Sequence, residues 1–387
     1  MLNRLLNIFT SLRLTVVLLV LALGLVFIGT IAQVKLGLYI VQEQYFNSYF
    51  VWWTPQGGDF KIPVYPGGYL LGGLLLINLI AAHIKRFELK RKKFGIFIIH
   101  SGLILLLVGQ LMSQIFQVES YMSIEEGSQK NYSESGRLSE LAVIDVTEPE
   151  TNLVVAIPQK VLENRKEITH PSLPFTVKVN AYHDNADPQL AGNGLKFEPR
   201  PFQVALNSRN IPAANIEIVT DEGSKGTFSV SNWKTEKYLI RFLAKSFSGS
   251  FDIDMVRPGR FEHNGRTYEL AMRPVRYYKP FTVQLLDFTH DRYPGTEIPK
   301  NFSSEIRLVR PETGEKREVL IYMNNPLRYW GETYYQGSFE PGDTVSILQV
   351  VRNPSWLTPY IACVLVGAGL LVQFLSHLSS FARKRSA

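Results

Sequence analysis

Hydrophobic residues are not spread evenly along the chain. Four runs are apolar for roughly the 20 residues that a bilayer-crossing helix needs: approximately Leu14–Ala32, Tyr65–Ile84, Phe94–Phe116 and Trp356–Ser376. Between the third and fourth runs the pattern changes period. LAVIDV, NLVVAI, FTVKVNAY, NIEIVT, GTFSVS, KYLIRFLA, FTVQLLDF, SEIRLV, REVLIYM and VSILQVV are short and rich in β-branched and aromatic residues. Gly, Pro, Asn and Asp clusters separate them, which predicts strands. About ten strands without intervening helical periods predict antiparallel sheets, as a sandwich or open barrel. The expected fold class is therefore a membrane protein with four transmembrane α-helices and a large, mainly antiparallel β extracytoplasmic domain. The expected divisions are 1–116, with three spans; 117–355, the β-rich domain; and 356–387, the fourth span and a basic tail.

The first span lacks a small-x-small cleavage site and is soon followed by two more, so it is expected to be a retained anchor. Before it, Leu2, Leu5, Leu6 and Phe9 lie at helical spacing. Residues 1–13 thus predict either an amphipathic helix on the inner membrane face or an extension of the span. Tyr45, Phe46, Tyr49, Phe50, Trp52 and Trp53 crowd the first outer loop. They suit an interfacial aromatic belt or a stacking surface for a flat apolar ligand.

Charge sets the expected orientation. Lys85, Arg86 and Lys90–Lys93 join spans two and three, Arg383–Arg385 end the chain, and Arg4 and Arg13 precede span one. Placing all three groups in the cytoplasm satisfies the positive-inside rule. Residues 34–64 and 117–355 then lie outside. The net charge of +7 is not a nucleic-acid footprint. Residues 117–355 carry a net −3 and the remainder +10, so the excess is mostly an insertion signal. No nucleic-acid partner is expected; membrane lipid is. The single cysteine, Cys363, lies in the last span. The outer domain therefore has no disulfide and no CxxC, and this chain cannot run thiol exchange. Its nearly 240 residues are enough to be held by a core alone.

Candidate chemistry concentrates on histidine. His170, His183, His263 and His290 are scattered and show no paired metal-ligand spacing, so outer metal catalysis is not expected. His83 and His377 sit at inner span ends, where a polar ring beside Lys or Arg needs no special role. His100 lies six residues into span three, about 9 Å along the axis. A titratable ring at that depth costs free energy. It is either a hydrogen-bonding residue between helices or an axial ligand to haem iron, which neutral imidazole suits. If haem binds, the second ligand is His83 or a residue of another protein. Gly72, Gly73, Gly102, Gly109, Cys363, Gly367 and Gly369 would admit another protein's helix, which favours the latter.

The chain resembles the ResB (CcsB) family of cytochrome c biogenesis proteins. The likeness rests on SLRLTVVLLVLALGLVFIGTIAQ in span one and IIHSGLILLLVG in span three. It rests also on FTVQLLDFTHDRYPGTEIPKNFSSEIRL through IYMNNPLRYWGETYYQGSF in the outer domain. It covers essentially the whole chain. The resemblance implies a subunit of the System II cytochrome c synthase in the bacterial cytoplasmic (inner) membrane. With a CcsA (ResC)-type partner, that complex moves haem b across the membrane and attaches it to apocytochrome c. The resemblance maps the family's membrane histidine onto His100, with haem in transit as the ligand. It assigns no catalytic residue here and implies a non-catalytic or co-catalytic subunit of the haem lyase. The partner's tryptophan-rich WWD motif is absent, since Thr54 follows Trp52–Trp53; the resemblance is to the ResB half alone. Without CxxC, a separate thioredoxin-like reductant is implied. The competing expectation is a membrane-anchored binding or assembly module without haem. In the outer domain, Tyr329, Trp330, Tyr334 and Tyr335 in PLRYWGETYYQGSF either pack the sheet or present a surface, and alternation favours packing.

Overall fold

A computed structural model describes residues 8–55, 60–85, 93–192, 194–203, 210–247, 251–296, 298–340, 342 and 344–385. Most of the expected helix at 1–13, and Arg86 and Lys90–Lys92 of the basic loop, lie outside the described residues. The chain forms two compact units. One comprises residues up to Val118 and from Asn353 onward; the other lies within Glu119–Arg352.

The first unit contains four helices long and apolar enough to cross a membrane: α1 (Leu12–Leu36), α2 (Gly68–Lys85), α3 (Phe94–Phe116) and, at the C-terminal end, α5 (Thr358–Arg385). Ser11 caps α1, its hydroxyl accepting from the Arg13 N–H, as N-cap serines do. The last helix runs beyond the expected Ser376, through His377 to Arg385. Between α1 and α2 a π-helical turn (Gln42–Phe46) leads into a hairpin of β1 (Phe50–Trp53) and β2 (Ile62–Pro66). The crowded aromatics divide there. Tyr45 and Phe46 pack onto Leu18, Leu25 and Leu71, while Tyr49, Trp52 and Trp53 are exposed.

The second unit is antiparallel β. Its strands are β3 (Val118–Glu125), β4 (Gln129–Asp145), β5 (Leu153–Pro158), β6 (Glu167–Ile168), β7 (Thr176–His183), β8 (Ala186–Ala191), β9 (Gly194–Pro199), β10 (Ala213–Thr220) and β11 (Gly223–Ser231). They continue as β12 (Gly259–His263), β13 (Arg266–Arg292), β14 (Pro299–Arg310), β15 (Glu315–Tyr322), β16 (Leu327–Tyr329), β17 (Glu332–Phe339) and β18 (Val345–Arg352). The main sheet runs β15-β14-β13-β4-β3-β18-β17-β16, with β12 beside β13 and β5 beside β4. A smaller sheet runs β11-β10-β7-β6. Leu141, Val143, Leu270 and Met272 of the main sheet meet Val177, Ile216, Ile218 and Val230 of the smaller one in one buried cluster. A second cluster, around Met122, Phe281, Leu285, Ile306, Tyr334 and Leu348, fills the other half of the main sheet.

Two expectations fail here. KYLIRFLA is not a strand: Lys237–Ser246 is a helix, α4. Leu239 and Leu243 are buried one turn apart, while Arg241, Phe242 and Lys245 face outward. The period is 3.6, which the short run of apolar residues masks. Nor do the aromatics of residues 326–339 all pack. Tyr334 is fully buried, donates to Glu332 (2.8 Å) and has its phenol pKa pushed up by burial. Trp330 is 53% exposed at φ +54° in the turn before Gly331, under the Arg310 guanidinium at 4.1 Å. Turn geometry takes Trp330 out of the strand alternation. Tyr334→Ala should thus cost about 3–5 kcal/mol, the usual loss for a buried large aromatic, whereas Trp330→Ala should leave the thermal midpoint nearly unchanged. Equal losses in a melting experiment would contradict the division.

Candidate functional site

The helical hairpin of α2 and α3 places two of the sequence-selected histidines side by side. His83, in the last turn of α2, and His100, in α3, have ring centroids 6.1 Å apart and planes tilted by 54°. His83 also stacks on Phe97, 4.7 Å away, and Phe97 in turn faces Phe94. The row follows from helix geometry: residues 94, 97 and 100 recur every three positions and share one face. Both imidazoles are half-buried. His377 is elsewhere, exposed on α5, its Nε2 2.8 Å from the Gln373 amide nitrogen. Of the partners open to His100 within the chain, the fold thus brings up His83.

The opposite face of α3 is glycine. Gly95, Gly102 and Gly109 are all buried and recur every seven residues, the interval that keeps one seam against a partner helix. That partner is α5. A Cβ at Gly95 would lie 2.7 Å from the backbone of Gly369 and Gln373, one at Gly102 3.0 Å from the Ala362 carbonyl, and one at Gly109 on Thr358. Gly369 reciprocates against the backbone of Gly95 and Ile99. Gly102, Gly109 and Gly369 are therefore occupied within this chain and do not admit a second protein. Gly72, Gly73 and Gly367 meet nothing within 4 Å, and Cys363 is exposed. Small residues announce close packing but not the packing partner, which is why the sequence left this open.

A polar clamp holds α1 to α2 near the His83 end. Asn78 is 2% exposed; its amide donates to the Phe9 carbonyl (2.6 Å) and its oxygen accepts from Thr15 (2.6 Å). Lys85 donates to the Thr10 hydroxyl at 3.3 Å. The sequence signal for Asn78 is an amide inside an apolar run. A buried amide in a span is tolerated only when satisfied, and here it fixes the position of the helix that carries His83.

Whether these residues suit haem is testable on their spacing. Bonds from imidazole to a transition metal are about 2 Å, so two imidazoles on opposite sides of one metal hold their ring centres roughly 6 Å apart. The observed ring-centre spacing of 6.1 Å is of that size. The surroundings are apolar and aromatic, as a flat hydrophobic macrocycle requires, and neutral imidazole is an iron ligand. In the second unit the histidines are dispersed. His263 is buried beside Phe175, His290 lies 4.3 Å from Phe339, and His170 accepts from the Ser172 N–H. Among the described residues no three His, Cys, Asp or Glu side chains assemble into a metal-type cluster.

Comparison with known proteins supplies the context for this geometry. Residues 243–355, from the C-terminal end of α4 to just past β18, match the ResB-like family model. Over 310 residues, 80% of this chain, the sequence is 24% identical to a curated protein described as Protein NrfI from Wolinella succinogenes. The match spans 30% of that relative's length.

Proposed function

We propose that this chain, which belongs to the ResB-like family, serves cytochrome c biogenesis by receiving haem in the membrane and passing it to apocytochrome c. The observation that carries this reading is the His83–His100 pair, 6.1 Å between ring centres on adjacent helices. Haem is the cargo; when bound it supplies the iron that imidazole ligates. The chain's own part is to hold His100 and His83 at a fixed spacing and to surround them with apolar side chains. The Asn78 clamp and the glycine seam set the helix positions. The work is division of labour: the sole cysteine, Cys363, gives this chain no dithiol for exchange, and in this reading a CcsA/ResC-type partner and a thioredoxin-like reductant complete the pathway. The second unit lies outside the bacterial cytoplasmic membrane in this reading, where it meets apocytochrome c.

The direct test is an absorbance scan of the purified protein with its partner. A Soret band is expected in the unaltered chain and in His290→Ala, and is expected to vanish in His100→Ala. A band of equal height in His100→Ala would show that another residue ligates the iron, His83 being the first to test, and no band in the unaltered chain would favour a haem-free assembly module. Orientation is tested separately. The turn between β10 and β11, Asp221 and Glu222, is polar and surface-exposed, so it tolerates insertion. A reporter inserted after Asp221, in that turn and ahead of β11, is expected to be active only if it works outside the cytoplasm. Activity of a cytoplasm-only reporter there reverses the topology.

A further inference from the structure

The second unit contains a cleft of about 1060 Å³ between β3, β4 and α4. It arises because a tightly turned pair of strands does not close into a hairpin. β3 and β4 are joined by a turn in which the Ser128 N–H donates to the Glu125 carbonyl (2.9 Å). Antiparallel strands joined so tightly would ladder outward from the turn. Among the described residues they pair at one position only, Tyr121 with Glu134, beside a hydroxyl contact between Ser120 and Ser133 (2.8 Å). Nearer the turn, Ser123 and Glu125 of β3 and Gln129–Tyr132 of β4 line the cleft instead of pairing with one another. On its other edge β4 is already occupied by β13, with Tyr132 opposite Tyr278 and Lys130 opposite Val283.

Charge decides against a small anion. The lining carries four cations, Lys130, Lys237, Arg241 and Arg276, and four carboxylates, Glu125, Glu134, Glu236 and Glu340. Each cation is within ion-pair distance of a carboxylate: Lys130 and Arg276 of Glu134 (3.6 and 3.0 Å), Lys237 of Glu125 (2.9 Å), and Arg241 of Glu340 (3.0 Å). A balanced, internally paired lining gives no net attraction for phosphate or a nucleotide. What the cleft does offer is two strand stretches with no ladder between them, bounded by the turn at one end and by Tyr121–Glu134 at the other; unpaired strand backbone recognises main chain and not charge. The last two pairs also run from α4 to β3 and to Glu340, just beyond β17, and so strap the helix over the opening. Their Lys237 and Arg241 ends are more than half exposed, and exposed pairs are weak, so the strap opens at little cost.

We propose that this cleft binds an extended segment of polypeptide, laid beneath α4 over the stretches of β3 and β4 that do not pair with one another. Resting on the reading above, the segment belongs to unfolded apocytochrome c. The segment must be extended to pair with a strand edge, so the folded, haem-bearing cytochrome would not fit and would leave.

The test uses the full-length protein in detergent with Cys363→Ala, which removes the sole native thiol, and adds Glu125→Cys and Lys237→Cys. A bis-methanethiosulfonate reagent then bridges α4 to β3 and reductant removes the bridge, so one preparation serves as its own folding control. The probe is a fluorescent haem-free cytochrome c polypeptide whose cysteines are replaced by serine. Bridging is expected to weaken its binding at least tenfold, and reductant to restore it. A photo-crosslinking residue at Asn131, in the cleft, is expected to trap the probe, and one at Arg317, on β15, is not. Equal affinity with and without the bridge, or no binding in either state, overturns the cleft assignment while leaving the haem test untouched. No Soret band in the unaltered chain, with the bridging effect intact, would fell the haem reading and keep the polypeptide site.

Discussion

Replacing Gly95 by alanine is expected to destabilise the protein, whereas the same replacement at Gly367 is expected to stabilise it slightly. Both glycines are in membrane-spanning helices, and alanine is favoured over glycine in a helix by about 1 kcal/mol. That gain applies at both sites. At Gly367 nothing lies within 4 Å of the new Cβ, so the gain stands alone. At Gly95 the Cβ would be 2.7 Å from the Gly369 carbonyl oxygen and 2.7 Å from the Gln373 nitrogen. Both are backbone atoms of α5, which no rotamer change can move aside. Forcing extra volume into a packed contact costs about 1–3 kcal/mol, more than the propensity gain. The net signs are therefore opposite. Gly369→Ala should behave like Gly95→Ala, because it meets the Gly95 carbonyl and the Ile99 nitrogen at 2.9 Å. Gly95→Val should be worse than Gly95→Ala and lower the amount of protein that accumulates. Thermal midpoints in detergent decide the matter: a rise of equal size in Gly95→Ala and Gly367→Ala would mean that α3 and α5 do not touch at this seam.

The contrast between those two glycines also shows what the chain's letters reveal. The four spans are legible because length and apolarity are one-dimensional properties; α3 even begins and ends where the apolar run does, at Phe94 and Phe116. The β-rich character of residues 118–352 is legible for the same reason, since alternation and turn residues are local. KYLIRFLA satisfies both periods over its eight residues, and only burial of Leu239 with Leu243 separates the α4 helix from a strand. His100 could be singled out as a costly polar group in lipid. That His83 stands beside it depends on how a helical hairpin rotates its faces, which no local pattern specifies. The split between β3 and β4 is further from view. Only the end of β4, in LAVIDV, is among the expected strands, β3 is not, and no local pattern says that strands joined by a tight turn fail to pair.

Removing His83 is expected to lower haem content nearly as far as removing His100, and removing both is expected to lower it no further. The argument is one of coupling. Side chains that act as a unit on one ligand are strongly non-additive, because the first deletion already abolishes the joint arrangement. If His100 alone held haem and His83 were an interfacial ring stacked on Phe97, His83→Ala would leave haem content close to that of the unaltered protein. Neither deletion should harm insertion, since taking a polar group out of a span lowers its transfer cost. The amounts of His83→Ala and His100→Ala protein in the membrane should therefore match the unaltered chain. Added imidazole is small enough to enter the space left by either ring and presents the same nitrogen donor, so it should partly restore haem in each single variant. The double variant needs two exogenous rings placed at once, each losing its own freedom of motion on binding, and should respond far less. Haem quantitation per mole of purified protein, with and without imidazole, separates the cases. Normal haem content in His83→Ala would show that the second donor to the iron comes from another protein. His100 would then remain the sole donor from this chain, and the 6.1 Å spacing of the two rings would be a packing contact between helices.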